Sequence, residues 1–275
     1  MDAKRITDFS TQGAVKATET ASWLLSRGIN AATTEDISGL IGVPENQVRQ
    51  RMASLVKRRE MVSPARGLWI PVPFEYRQWG APEATQFIDF MMRHLNAQYY
   101  VGWMTAASFY GASHHAPQVF QVAVSKAVNN RMIGRSDIRF YQRSNVGALP
   151  TTRIKTATGA ITVSTRAATM LCAANDTDLV AGLDNAANII MELSETDEPF
   201  LDEVSTCAYL FPITALRRLG WILENYTDTK GLDKIQEISQ QSPVRLSKLS
   251  MYHSYSNHVD EKWSLNINVE VEPDV

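Results

Sequence analysis

The chain has 275 residues, 44% of them hydrophobic and 20% charged, with 14 glycines and 11 prolines. That length predicts about two domains at roughly 150 residues each, and the usage excludes disordered, collagen-like and low-complexity architectures. A net charge of −2 excludes a uniformly basic nucleic-acid coat and turns attention to local charge.

Two cysteines, Cys172 and Cys207, sit in apolar contexts without a nearby Cys or His, so no disulfide framework or zinc spacing is present and a cytoplasmic location is expected. The opening MDAKRITDFSTQGAVK lacks a signal-peptide core, and no apolar run approaches the roughly 18 residues of a membrane helix. A soluble, unprocessed chain that does not engage membranes is expected.

Residues 1–73 carry a net +3 and the remainder −5, and residues 47–66 hold six basic groups against one acid, Glu60. An anionic partner is expected there. In chain order, Ala17, Ala21, Leu24 and Leu25 predict a supporting helix closed by Gly28. Thr33 reads as the N-cap of a second helix with Asp36 as its capping-box partner, and Ile37, Leu40 and Ile41 supply its buried stripe. Gly42, Val43 and Pro44 make a turn. In the helix that follows, Val48, Met52, Leu55 and Val56 recur on one apolar face, leaving Gln47, Arg49, Gln50, Arg51, Ser54, Lys57 and Arg58 on the other. Met61-Val62 and Leu68-Trp69-Ile70 flank SPARG and predict a hairpin. This order predicts a winged helix-turn-helix. Its DNA-contacting residues are expected to be Thr33, Thr34, Gln47, Arg49, Gln50, Arg51, Ser54, Lys57, Arg58 and Arg66, and its partner a double-stranded operator of inverted or repeated sites.

The proline-rich PVPFEYRQWGAPEA reads as an extended connection with the domain boundary near Pro73. Beyond it, helices are expected over residues 83–95 and from Thr105 to Gly111, and strands over 119–124, 138–141, 152–156 and 161–163. From Asp178 the apolar period becomes helical. The alternation of Trp263, Leu265, Ile267, Val269 and Val271 with polar residues predicts a closing half-buried strand. The fold class expected is therefore α+β: a winged helix-turn-helix over residues 1–73, then a larger mixed domain over 74–275. Within that domain, 74–175 is expected to be strand-rich, 176–245 mainly helical, and 263–272 a terminal strand.

Chemistry is sparse. Phosphate-cradle, dinucleotide, zincin and nucleophile-elbow motifs are all missing. His94, His114, His115, His253 and His258 read as structural or solvated rather than metal-bound. Asp197-Glu198 and Asp202-Glu203, around Pro199, read as an exposed acidic connection between helices, and Asp260-Glu261-Lys262 has the wrong spacing for a nuclease. No enzyme activity, catalytic residue, metal or cofactor is expected.

Two further segments, YYVGWMTAASFYGASHHAPQVFQVAVSK and IRFYQRSNVGALPTTRIKTATGAITVSTRAATMLCAA, are patterned around Gly102, Gly111 and a helix start at Arg166. With the amino-terminal module, the chain resembles the AbiEi-type antitoxins, transcriptional regulators of bacterial abortive-infection and toxin-antitoxin loci. The resemblance implies that the winged helix binds the promoter and represses its own operon while the larger part neutralises a nucleotidyltransferase-like toxin. Where the family usually has an acidic residue before the arginine, this chain has Ser164-Thr165, which leaves the role of Arg166 open. Glu195, Asp197, Glu198, Asp202 and Glu203 are then the candidate toxin-facing residues. Two alternatives remain. One is a ligand-sensing regulator with an apolar pocket near Trp103 and Tyr110; the other is a metal-dependent nuclease, which divalent-ion-dependent cleavage would reveal.

Overall fold

Capping and apolar period set the first elements of the computed structural model, which describes residues 15–112, 118–196 and 199–273. Helix α1 (Thr20–Ser26) is followed by Gly28 at φ +68°, the left-handed turn that glycine permits. A short strand β1 (Ala32–Thr33) leads into α2 (Thr34–Ile41), whose capping box between Thr33 and Asp36 is complete. Gly42 ends that helix in the left-handed conformation, and α3 (Glu45–Lys57) begins after Pro44. The hairpin β2 (Met61–Ala65) and β3 (Leu68–Pro71) completes a small sheet in the order β1-β3-β2.

The core of this unit is Leu24, Ile37, Leu40, Val48, Met52, Leu55, Met61 and Trp69. Val56, expected among them, is 43% exposed. It follows the fully buried Leu55 in the last turn of α3 and lies one step round the helix from the packed face.

The segment after β3 is more folded than an extended link. Pro71 pairs with Met61 across the hairpin, Val72 is fully buried, and a single 3-10 turn spans Phe74–Tyr76. Helix α4 (Ala84–His94) leads to β4 (Tyr99–Val101) and α5 (Trp103–Phe109). Next come β5 (Val119–Val124), β6 (Arg131–Ile133), β7 (Ser136–Gln142), β8 (Thr151–Thr156) and β9 (Gly159–Ser164). They form a six-stranded mixed sheet, order β6-β7-β5-β4-β9-β8. The central strands are covered on both faces, so β4 is wholly apolar and β5 apolar except for Gln121, which is buried and donates to the Leu179 carbonyl. Tyr99, Val101, Val122 and Val124 face α4 and the hairpin's Ala65, Leu68 and Ile70. Tyr100 and Ala123 face the helices that follow.

Those helices are α6 (Arg166–Asn175), α7 (Leu183–Ser194), α8 (Leu201–Cys207), α9 (Ile213–Tyr226) and α10 (Asp233–Gln240). Alanines along α6 allow α7 and α9 to approach closely, and the three share one core with Trp263. Two adjacent arginines of α9 are buried, Arg217 at 1% and Arg218 at 6% exposure. Neither meets a carboxylate in an ion pair among the described residues. Arg217 donates to Ser239 O, Val244 O and Ser247 Oγ, and Arg218 to the carbonyls of Leu249 and Ala174, which staples the chain after α10 onto the bundle.

The closing strand is much shorter than its alternation predicts. β10 (Ser247–Lys248), β11 (Val259–Asp260) and β12 (Leu265–Asn266) form a three-stranded patch, and residues 267–273 are not in a strand. The polar side chains of that alternation do not all face solvent. Asn266 is 1% exposed, and its amide bonds the main chain of Ser256 and His258. Asn268 does the same for Ser250 and His253.

Candidate nucleic-acid interface

The turn between α2 and α3 is built by Gly42 and Pro44, and Ser38 Oγ closes it by donating to the Val43 carbonyl at 2.6 Å. With Val48, Met52 and Leu55 at 0% exposure, the opposite face of α3 is fixed toward solvent. Gln47, Arg49, Gln50, Arg51, Ser54, Lys57 and Arg58 are all exposed there. The side chains of Arg49, Arg51 and Lys57 make no ion pair or hydrogen bond among the described residues, so their charge is uncommitted. Arg58 instead pairs with Glu60 at 3.1 Å, and Glu60 also holds Arg77 at 3.5 Å.

Thr33 and Thr34 are placed beside this helix pair but are internally occupied. Thr33 Oγ1 accepts from the Asp36 amide at 3.1 Å and donates to Asp36 Oδ2 at 2.8 Å. Thr34 Oγ1 accepts from Trp69 Nε1 at 3.0 Å. Arg66 stands exposed at the hairpin tip. Arg59, one of the six basic groups of residues 47–66, follows α3 at φ +58° and donates to the Gln78 carbonyl at 2.7 Å. A lone Arg after a helix carries no signal for such a backbone bond.

The acidic candidates are dispersed in role. Glu195 is exposed just after α7. Asp202 and Glu203 lie in the first turn of α8, not in an open connection. The bond from Lys234 to Asp202 at 2.7 Å holds that carboxyl below its ordinary range. Glu203 accepts from Thr165 Oγ1 at 2.5 Å, tying α8 to the start of α6. Asp197 and Glu198 lie outside the described residues, as do His114 and His115. Glu195, Phe200, Asp202, Tyr226, Asp228 and Lys230 border an open cleft of about 1080 Å³.

Trp103 is fully buried, packs edge-on to Tyr141 at 5.0 Å and donates to Asp176 at 3.0 Å. The region expected to frame a ligand pocket is thus occupied by its own aromatic ring. The Arg166 guanidinium lies 4.9 Å from the Tyr110 ring centre. No group of three metal-ligating side chains occurs among the described residues, and none of their helices is long and apolar enough to cross a membrane.

Residues 100–225 match the family described as AbiEi antitoxin C-terminal domain. This part of the chain is an AbiEi-type antitoxin domain. The two segments that carried the resemblance, 99–126 and 138–174, coincide with it apart from Tyr99. The crystal structure of the RV2827C protein from Mycobacterium tuberculosis superposes with a TM-score of 0.62 at 14% identity, covering 92% of this chain and 93% of that one. Such coverage extends well beyond the AbiEi-type domain, so its arrangement with the small helical unit and the C-terminal patch is a fold that another protein shares. No curated protein sequence matches the chain.

Proposed function

We propose that the chain is a cytoplasmic, non-enzymatic DNA-binding regulator and antitoxin. In this reading residues 1–73 form a winged helix-turn-helix that binds operator DNA and represses its own operon, and residues 74–275 counteract a nucleotidyltransferase-like toxin. The observation that carries the DNA-binding half is the solvent face of α3, where Arg49, Arg51 and Lys57 stand exposed and uncommitted on a helix locked by its buried side. Free guanidinium groups at that spacing suit bidentate contacts to guanine in the major groove. The antitoxin half rests on the AbiEi-type domain.

Fluorescence anisotropy with the DNA upstream of the gene tests the first half. Alanine at a base-reading Arg49 or Arg51 costs about 1 to 3 kcal/mol and relaxes specificity at one position. Replacing Lys57, Arg58 or Arg66 weakens all sequences alike and flattens the salt dependence. Unchanged operator affinity in the Arg49/Arg51 double variant would remove the assignment. Growth rescue on co-expression with the neighbouring gene product tests the second half. Charge reversal at Glu195 and Asp202, with promoter binding as control, asks whether an acidic surface meets the toxin directly.

A further inference from the structure

We infer that His94 and Arg131, which belong to the larger part of the chain, are positioning residues for DNA contact by Arg66 at the hairpin tip. The inference rests on the DNA-binding reading above and adds to it that the wing is held from outside the winged-helix unit.

The hairpin turn is Arg66-Gly67, with Gly67 at φ +85°. Its two carbonyls are bound by two different helices, α2 and α4. The Gly67 carbonyl accepts from the Thr34 amide at the start of α2, at 2.9 Å. The Arg66 carbonyl accepts from His94 Nε2 in the last turn of α4, also at 2.9 Å; a carbonyl only accepts, so Nε2 carries the hydrogen. Two residues before the turn, the Pro64 carbonyl accepts from Arg131 Nη1 on β6 at 2.5 Å. The imidazole lies directly over the turn, because a Cβ on Gly67 would sit 3.4 Å from its Cε1 and Nε2. Beneath these bonds, Ala65, Leu68 and Ile70 are buried in the same core as Phe87 and Met91 of α4.

Every one of these contacts grips main chain or apolar side chain, and none uses the Arg66 guanidinium. That side chain is exposed and makes no hydrogen bond or ion pair among the described residues. A cation on a main chain already held by α2, α4 and β6 is partly pre-organised: the backbone ordering that a phosphate contact requires has been met before DNA arrives, and only the side-chain rotamers remain to be fixed. His94 holds the turn itself, and Arg131 fixes the strand that leads into it.

The test is a double-mutant cycle in the full chain, read as operator affinity and as the slope of its logarithm against the logarithm of salt concentration. The slope is independent of the fraction of active protein, so partial misfolding does not mimic the effect. Arg66→Ala is expected to reduce the slope by about 0.9, one phosphate's worth. His94→Ala should reproduce most of that change, the double variant should be no weaker than Arg66→Ala alone, and His94→Gln, which keeps a donor for the carbonyl, should restore the slope. Arg131→Met should act in the same direction as His94→Ala. Additive losses in the double variant, or an unaltered slope in His94→Ala, would overturn the inference. Arg49/Arg51→Ala runs alongside: if that variant binds normally, the DNA-binding reading itself is wrong, whereas its loss together with additivity between His94 and Arg66 refutes only the positioning role.

Discussion

Trp263 fills the space directly above Gly220. A Cβ built on that glycine would lie 2.1 Å from Cζ3 and 2.2 Å from Cη2 of the indole, distances no packed structure tolerates. One turn further along the same helix, Glu224 accepts from Trp263 Nε1 at 2.5 Å and pairs with Lys262. Gly220 and Glu224 are four apart and share a face of α9, so one residue makes the slot for the ring and the other anchors its polar edge.

Gly220→Ala is therefore expected to destabilise the protein although alanine favours a helix by about 1 kcal/mol over glycine. The ring must leave its site, and loss of a buried aromatic costs about 3 to 5 kcal/mol. Thermal melting followed by near-ultraviolet circular dichroism reads both the lower midpoint and the lost indole signal. An unchanged melt would show that the chain after α10 is not part of the cooperative core.

The proposed boundary near Pro73 predicts a contrast between a fragment and the whole. In the full chain Leu68 and Ile70 are buried against α4 and the large sheet; in an isolated 1–73 fragment the same side chains face water. Leu68→Thr and Ile70→Thr together are expected to lower the midpoint of the full chain by several degrees while improving the solubility of the fragment. The unmodified fragment is expected to bind operator DNA more weakly than the full chain. Equal effects of the pair in both contexts would mean that the hairpin's outer face is not covered as described.

Both thiols are predicted to be inert in the native state. Burial pushes Cys172 up to about 12, with Asp176 nearby adding to the shift, and burial followed by Glu203 does the same for Cys207. An aromatic disulfide reagent at pH 8 should leave both unlabelled until denaturant is added, when two equivalents react. Because the unfolded thiols ionise near 9, the proton they retain when folded stabilises the protein below that pH. The contribution fades as pH rises from 9 toward 12. Prompt labelling of one thiol in the native protein would contradict the packing of α6 or α8.

Much of the α2-α3 geometry was legible because a helical period reports both faces of one element at once. Val48, Met52 and Leu55 buried imply Arg49, Gln50 and Arg51 exposed, and the Thr33 capping box is a local signature that needs no tertiary context. What was hidden depends on distant partners. β4 has three residues, and its neighbours β5 and β9 lie far along the chain; nothing local distinguishes Tyr99–Val101 from any apolar run. Nothing in the sequence marks Arg217 and Arg218 as buried, since the carbonyls of Ala174, Ser239, Val244 and Leu249 that receive them lie in other segments. Glu203 looked like one more solvated acid because Thr165 is 38 positions away. The failure over 263–272 has the same origin: alternation marks Asn266 and Asn268 as outward-facing, whereas their amides are spent on another segment's backbone.

Those two asparagines confer a further property on the segment they hold. Met251, Tyr252 and Tyr255 are 70%, 67% and 61% exposed, yet the asparagine amides that shape residues 250–258 grip only main-chain atoms of Ser250, His253, Ser256 and His258. A frame of this kind is indifferent to the identity of the side chains it displays. Substitutions at Met251, Ser254, Asn257 and His258 can thus alter the chemistry of the surface without redrawing its contour, and sequence divergence is expected to accumulate on the display before it reaches Asn266 and Asn268.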